Sequence, residues 1–71
     1  MELTKAEQII IELKKNRKRP TEIAYEQGVT QSYVSHIIAG RNKSKGPGAM
    51  RVRKAIAEAI HTNSEELWEN N

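Results

Sequence analysis
Apolar residues recur along this chain at the three-and-four spacing that lines one face of a helix. Ala6, Ile9, Ile10 and Leu13 share such a face, with Leu3 just upstream and Ile11 well off the stripe. Val34, Ile37 and Ile38 form a second stripe. Val52, Ile56, Ala59 and Ile60 form a third. No stretch has the period-two alternation of a strand, and no internal repeat is visible.

Start and stop signals divide these stripes into five elements. Thr4 and Glu7 have capping-box spacing, which predicts a first helix over about Thr4–Asn16. Lys14 and Lys15 suit its C-terminal dipole. Pro20 fits the first position of a second helix, where its missing N–H costs nothing. Gly28 ends that helix as a left-handed residue. Thr30 caps a third helix, which Gly40 ends. Arg41 to Gly48 reads as a basic loop containing Gly-Pro-Gly, followed by a fourth helix over about Ala49–His61. Asn63 and Glu66 resemble a second capping box, starting a short turn that carries Leu67 and Trp68. The expectation is one all-α domain over residues 1–71. Its expected core is Leu3, Ala6, Ile10, Leu13, Ile23, Ala24, Val29, Val34, Ile37, Val52, Ile56, Ile60, Leu67 and Trp68.

Size and composition narrow the functional classes. A chain of 71 residues buries only about 60% of its unfolded surface. It has no cysteine and two histidines, His36 and His61, so neither a disulfide nor a structural zinc site is expected. No cofactor is expected either. No Ser-His-carboxylate pattern comes with a plausible pocket, and the chain is too short to enclose a substrate, so an enzyme is not expected. No segment reaches the ~18 apolar residues of a membrane span, and no basic-then-apolar leader opens the sequence. A soluble cytoplasmic protein is the expectation.

The net charge of +3 matters less than its distribution. Eleven of the twelve Lys and Arg residues lie between Lys14 and Lys54, opposed there only by Glu22 and Glu26. Glu58 to Asn71 carries four Glu and no Lys or Arg. A basic middle is the footprint of a polyanion partner, against the blander reading of a solvated exterior.

Helices two and three are separated by only a few residues around Gly28, as in a helix-turn-helix. The segment PTEIAYEQGVTQSYVSHIIA, residues 20–39, resembles the twenty-residue motif of the Cro and lambda-repressor family, also called the xenobiotic-response-element family. Ile23 and Ala24 match its aliphatic fourth and small fifth places. Gly28 matches the ninth, and Val29, Val34 and Ile37 match the tenth, fifteenth and eighteenth. The ending NSEELW resembles the short last helix of small phage regulators of the Ner and Cro kind. Pro20 departs from the pattern. Many relatives have Gln there, which touches phosphate and braces the recognition Gln, so that contact does not carry over.

The resemblance implies a compact five-helix lambda-repressor-like fold and sequence-specific binding of double-stranded DNA. A recognition helix enters the major groove by its N-terminal end and one polar face. With Val34, Ile37 and Ile38 inward, that face carries Ser32, Ser35, His36 and Ala39, and Gln31 projects from the tip. Gln can bond adenine at two atoms, Ser can donate or accept, and Ala39 suits a thymine methyl. Matching places in the family carry the base contacts, so Gln31, Ser32, Ser35 and His36 are the base-reading candidates. Lys18, Arg19, Thr30, Tyr33, Arg41, Lys43 and Lys45 are the backbone candidates. Tyr33 has an equal alternative as cover for the edge of the core. Arg51, Arg53 and Lys54 either reach the backbone or solvate helix four. Trp68 reads as a lid on a thin core, and His61 as an exposed helix-end residue.

By resemblance, the leading role is a phage or prophage transcriptional regulator, a repressor acting by promoter occupancy. The alternative is the DNA-binding part of a toxin–antitoxin or mobile-element regulator. Either a weak homodimer or a monomer that pairs on DNA is expected, with Ile11 and the C-terminal residues as candidate contact points. Two other classes remain as rivals. Ile9–Ile10–Ile11 beside a basic run also suits a membrane-surface helix. A protein-interaction or RNA-binding module is the other, although only Tyr25, Tyr33 and Trp68 could stack on RNA bases.

Overall fold
The computed structural model describes residues 3–68. Within them the chain forms five helices: α1 (Lys5–Lys15), α2 (Pro20–Gln27), α3 (Gln31–Ile38), α4 (Pro47–Ala59) and α5 (Ser64–Trp68). No strand occurs among the described residues. The fold class is therefore the all-α, five-helix arrangement that the periodicity predicts. No described helix is long and apolar enough to cross a membrane.

The N-terminal signals act as read. The Thr4 hydroxyl accepts from the Glu7 N–H at 3.1 Å, and the Glu7 carboxylate accepts from the Thr4 N–H at 3.0 Å. Pro20 occupies the first turn of α2, where the Glu22 carboxylate accepts from the Arg19 N–H at 3.2 Å. Thr30 caps α3 through the Tyr33 N–H at 3.1 Å. The last box does not form: Asn63 Oδ1 accepts from the Glu65 N–H at 2.8 Å, one position short of Glu66.

Helix ends explain why the boundaries of α4 differ from the expectation. Pro47 stands in its first turn, the same role as Pro20, so the preceding loop closes at Gly46 rather than Gly48. At the other end His61 has φ 58° and lies outside the helix. Four helices finish with the same paired closure, in which a left-handed residue lets two N–H groups reach back to orphan carbonyls. Gly28 and Gly40 hold that position after α2 and α3, with φ 69° and 77°. Arg17 and His61 hold it after α1 and α4, with φ 56° and 58°.

The core draws on four helices: Ile9 and Leu13 of α1, Ile23 and Ala24 of α2, Val34, Ile37 and Ile38 of α3, and Ala49, Val52, Ile56 and Ala57 of α4. Seven of the fourteen expected members lie outside it, and two of these, Ile10 and Leu3, are exposed. Ile10 is 40% exposed while Ile9 is 1% exposed. Ile9 lies about 40° around the helix from Leu13 and Ile10 about 60° on the other side, so the stripe centres nearer Ile9. Leu3 is 48% exposed. It precedes the cap Thr4, where a staple would need an apolar residue at Gln8. Instead the Gln8 amide donates to the Leu3 carbonyl at 3.3 Å. Ala6, Val29, Ile60, Leu67 and Trp68 are partly buried against the core and cover its edges. Among the described residues no charged or polar residue is buried.

Candidate nucleic-acid interface
The link between α2 and α3 is three residues, Gly28 to Thr30. Gly28 turns the chain, and the Val29 N–H bonds the Ala24 carbonyl at 2.9 Å. Ala24 is buried where α2 packs on α3, and a small side chain permits that approach. Helix α3 is thus fixed by its cap at one end and by Val34, Ile37 and Ile38 along its inner face.

With the inner face sealed, the outer face follows from helix geometry. Gln31, Ser32, Ser35, His36 and Ala39 are all exposed. Their spacing puts them on one side of the helix, running from its N-terminal tip to its last turn. All four base-reading candidates therefore share one exposed stripe. An α-helix with its side chains is about 10–12 Å across, which a major groove about 12 Å wide admits.

The backbone candidates are distributed around this stripe. Thr30 is the cap, its oxygen occupied by the Tyr33 N–H. Arg19 is exposed at the start of α2. Arg41, Lys43 and Lys45 are exposed in the loop after α3. Lys18 differs: its ammonium meets the Glu26 carboxylate at 2.6 Å, so its charge is already engaged within the protein. Tyr33 is half-buried against the core, and its hydroxyl lies beside Gly48 in the first turn of α4. It covers the core edge, which leaves only its hydroxyl tip for a phosphate. No acidic residue stands between Glu26 and Glu58 along the chain, whereas six Lys and Arg residues do; in space Glu65 and Glu66 line the same groove as Lys43 and Lys45.

Arg53 has a part that sequence reasoning left open. Its guanidinium donates to the Ser44 carbonyl at 2.6 Å and to the Asn42 carbonyl at 2.9 Å. It grips the basic loop rather than merely solvating α4. Those contacts join residues nine and eleven apart, a separation at which no local pattern points to a partner. The turns inside the loop were more legible: Asn, Ser and Gly at alternate places favour side-chain-bonded turns. Asn42 Oδ1 accepts from the Ser44 N–H, and Ser44 Oγ from the Gly46 N–H.

A groove of about 820 Å³ runs between this loop, α4 and α5, lined in part by Ile37, Lys43, Lys45, Met50, Arg53 and Trp68. None of the four base-reading candidates lines it. Among the described residues no cluster of His, Cys, Asp or Glu is arranged to hold a metal ion. Comparison with protein-family models, curated proteins and solved structures gives no match.

Proposed function
We propose that this chain is a sequence-specific binder of double-stranded DNA that reads the major groove with α3. The observation that carries this reading is the two-sided character of that helix. One side is wholly buried, and the other exposes Gln31, Ser32, Ser35, His36 and Ala39 in one stripe behind a capped tip. The short, adaptable polar groups of that stripe suit base edges. The basic loop beyond it suits the phosphates that fix register. The likeness of residues 20–39 to the Cro and lambda-repressor motif adds a role: a cytoplasmic phage or prophage regulator that blocks a promoter by occupying it.

The dimensions also favour pairing. One copy measures 33 × 25 × 20 Å and carries a single α3, enough for one half-site. Half-sites of a two-fold operator lie about 34 Å apart, so two copies are needed to read both. Ile11 is exposed, as a contact between copies requires. Of the C-terminal residues considered for that contact, 69–71 lie outside the described residues.

Selection of bound sites from random duplexes tests the reading. The chosen duplex is then titrated against a scrambled duplex and single-stranded RNA. The expected result is a preference for the selected duplex of at least about a thousandfold over the scrambled one. RNA binding as tightly as the selected duplex would overturn it.

A further inference from the structure
Arg53 grips the loop at two points that matter for its lysines. The Asn42 carbonyl belongs to the peptide plane leading into Lys43, and the Ser44 carbonyl to the plane leading into Lys45. Arg53 Nη2 bonds the first at 2.9 Å and Nη1 the second at 2.6 Å. Its Nη1 also meets Met50 Sδ at 3.5 Å. The planar fork of Arg can span two carbonyls in a fixed geometry, which the single ammonium of Lys cannot. The backbone of Arg53 is itself held from outside α4, because its carbonyl accepts from the Trp68 indole N–H at 3.0 Å. One residue thus links α5, α4 and the loop, and it is half-buried while Lys43 and Lys45 are exposed.

We propose that Arg53 is a positioning residue for DNA binding: it orders the loop so that Lys43 and Lys45 meet phosphates, without touching DNA itself. The proposal rests on the DNA-binding reading above. In an unpinned loop the cost of immobilising each lysine offsets what its phosphate contact contributes, so Lys43 and Lys45 stay off the phosphates. Loss of the grip should therefore weaken binding to every sequence alike.

The test uses the full chain and Arg53→Lys, which keeps the charge and loses the fork. Without DNA, hydrogen exchange at the Ser44 and Gly46 amides should speed up while the Val52 and Ile56 amides stay protected. With DNA, affinity for selected and scrambled duplexes should fall together by roughly tenfold. The log–log salt slope should flatten by more than one contact's worth, about 0.9, although the net charge is unchanged. Lys43→Ala and Lys45→Ala should then add little in the Arg53→Lys background.

An unchanged salt slope and affinity in Arg53→Lys would overturn the proposal, because a direct phosphate contact or a passive residue would tolerate Lys. Unchanged exchange at Ser44 and Gly46 would overturn it too. If exchange speeds up but the wild-type chain binds no duplex, the grip is real, and it is the DNA-binding reading, with the positioning role, that fails. Should Arg53→Lys not fold, Arg53→Met retains the apolar stem. Its slope should flatten by more than the roughly 0.9 that one lost charge explains.

Discussion
Two of the four helix closures place a side chain where glycine is favoured, and this makes Arg17 a direct test of the fold. Arg17 follows α1 with φ 56°, and its N–H and that of Lys18 bond the Lys14 and Leu13 carbonyls at 3.0 and 2.9 Å. A non-glycine residue in the left-handed region costs about 1–2 kcal/mol. Glycine removes that cost but gives the unfolded chain more freedom, offsetting about 0.4–1 kcal/mol. The net gain for Arg17→Gly is then about 0.5–1 kcal/mol. Against a total stability of roughly 4–10 kcal/mol for a chain this size, the change is measurable. It should raise Tm by roughly 2–8 °C in a thermal melt followed by circular dichroism. Arg17→Ala is the control, since it removes the same charge and keeps the strained φ; its Tm should stay near wild type. Gly28→Ala runs the argument in reverse. A Cβ there meets nothing within 4 Å, so only the backbone cost applies and the loss should be about 1 kcal/mol. If Arg17→Gly melts below Arg17→Ala, the left-handed closure of α1 is wrong.

Other outcomes follow from the capped tip, the loop and the first cap. Gln31→Ala leaves the Thr30 cap and the buried face of α3 intact, so binding to the best site should fall by about 1–2 kcal/mol while binding to random duplex barely changes. A parallel fall in both, with circular dichroism unchanged, would move sequence reading to Ser35, His36 or DNA shape. Arg41→Ala and Lys43→Ala should each flatten the salt dependence of binding by about one contact, for all sequences alike; identical slopes in both would remove the loop from the backbone contacts. The Thr4 backbone N–H and then its hydroxyl hold the Glu7 carboxyl below its ordinary pKa. A lowered folded pKa means the stabilisation is present above the unfolded value and is lost as pH falls through the folded one. Glu7→Ala should therefore melt below wild type at pH 7, with the gap closing on acidification below about pH 4.

The sequence was informative where a local rule decides the outcome. Thr4, Pro20, Gly28, Thr30 and Gly40 act as punctuation, and each works within a few residues of itself. The inner and outer faces of α3 followed from spacing alone. Ile9 and Ile10 were harder, because both neighbour the Leu13 stripe and only the packing of three other helices decides between them. Arg17 carried no signal as a helix end, since the left-handed region is unusual for it, whereas His61 read as a helix-end residue without its left-handed backbone being foreseen. Lys18 and Arg53 were opaque for a related reason: their partners are eight, nine and eleven residues away, brought near only by the fold.

The docking of α5 gives the molecule an optical reporter. Trp68 is the chain's single tryptophan. Its indole N–H is bonded to Arg53 of α4, and the Lys5 ammonium of α1 lies 5.9 Å from the centre of its ring. A cation over the ring and a hydrogen bond at its edge both alter indole emission. One fluorophore therefore senses the first, fourth and fifth helices together. Through Arg53 it is also two hydrogen-bonded steps from the loop backbone at Asn42 and Ser44. A rearrangement of that loop can thus be followed by intrinsic fluorescence, with no label added.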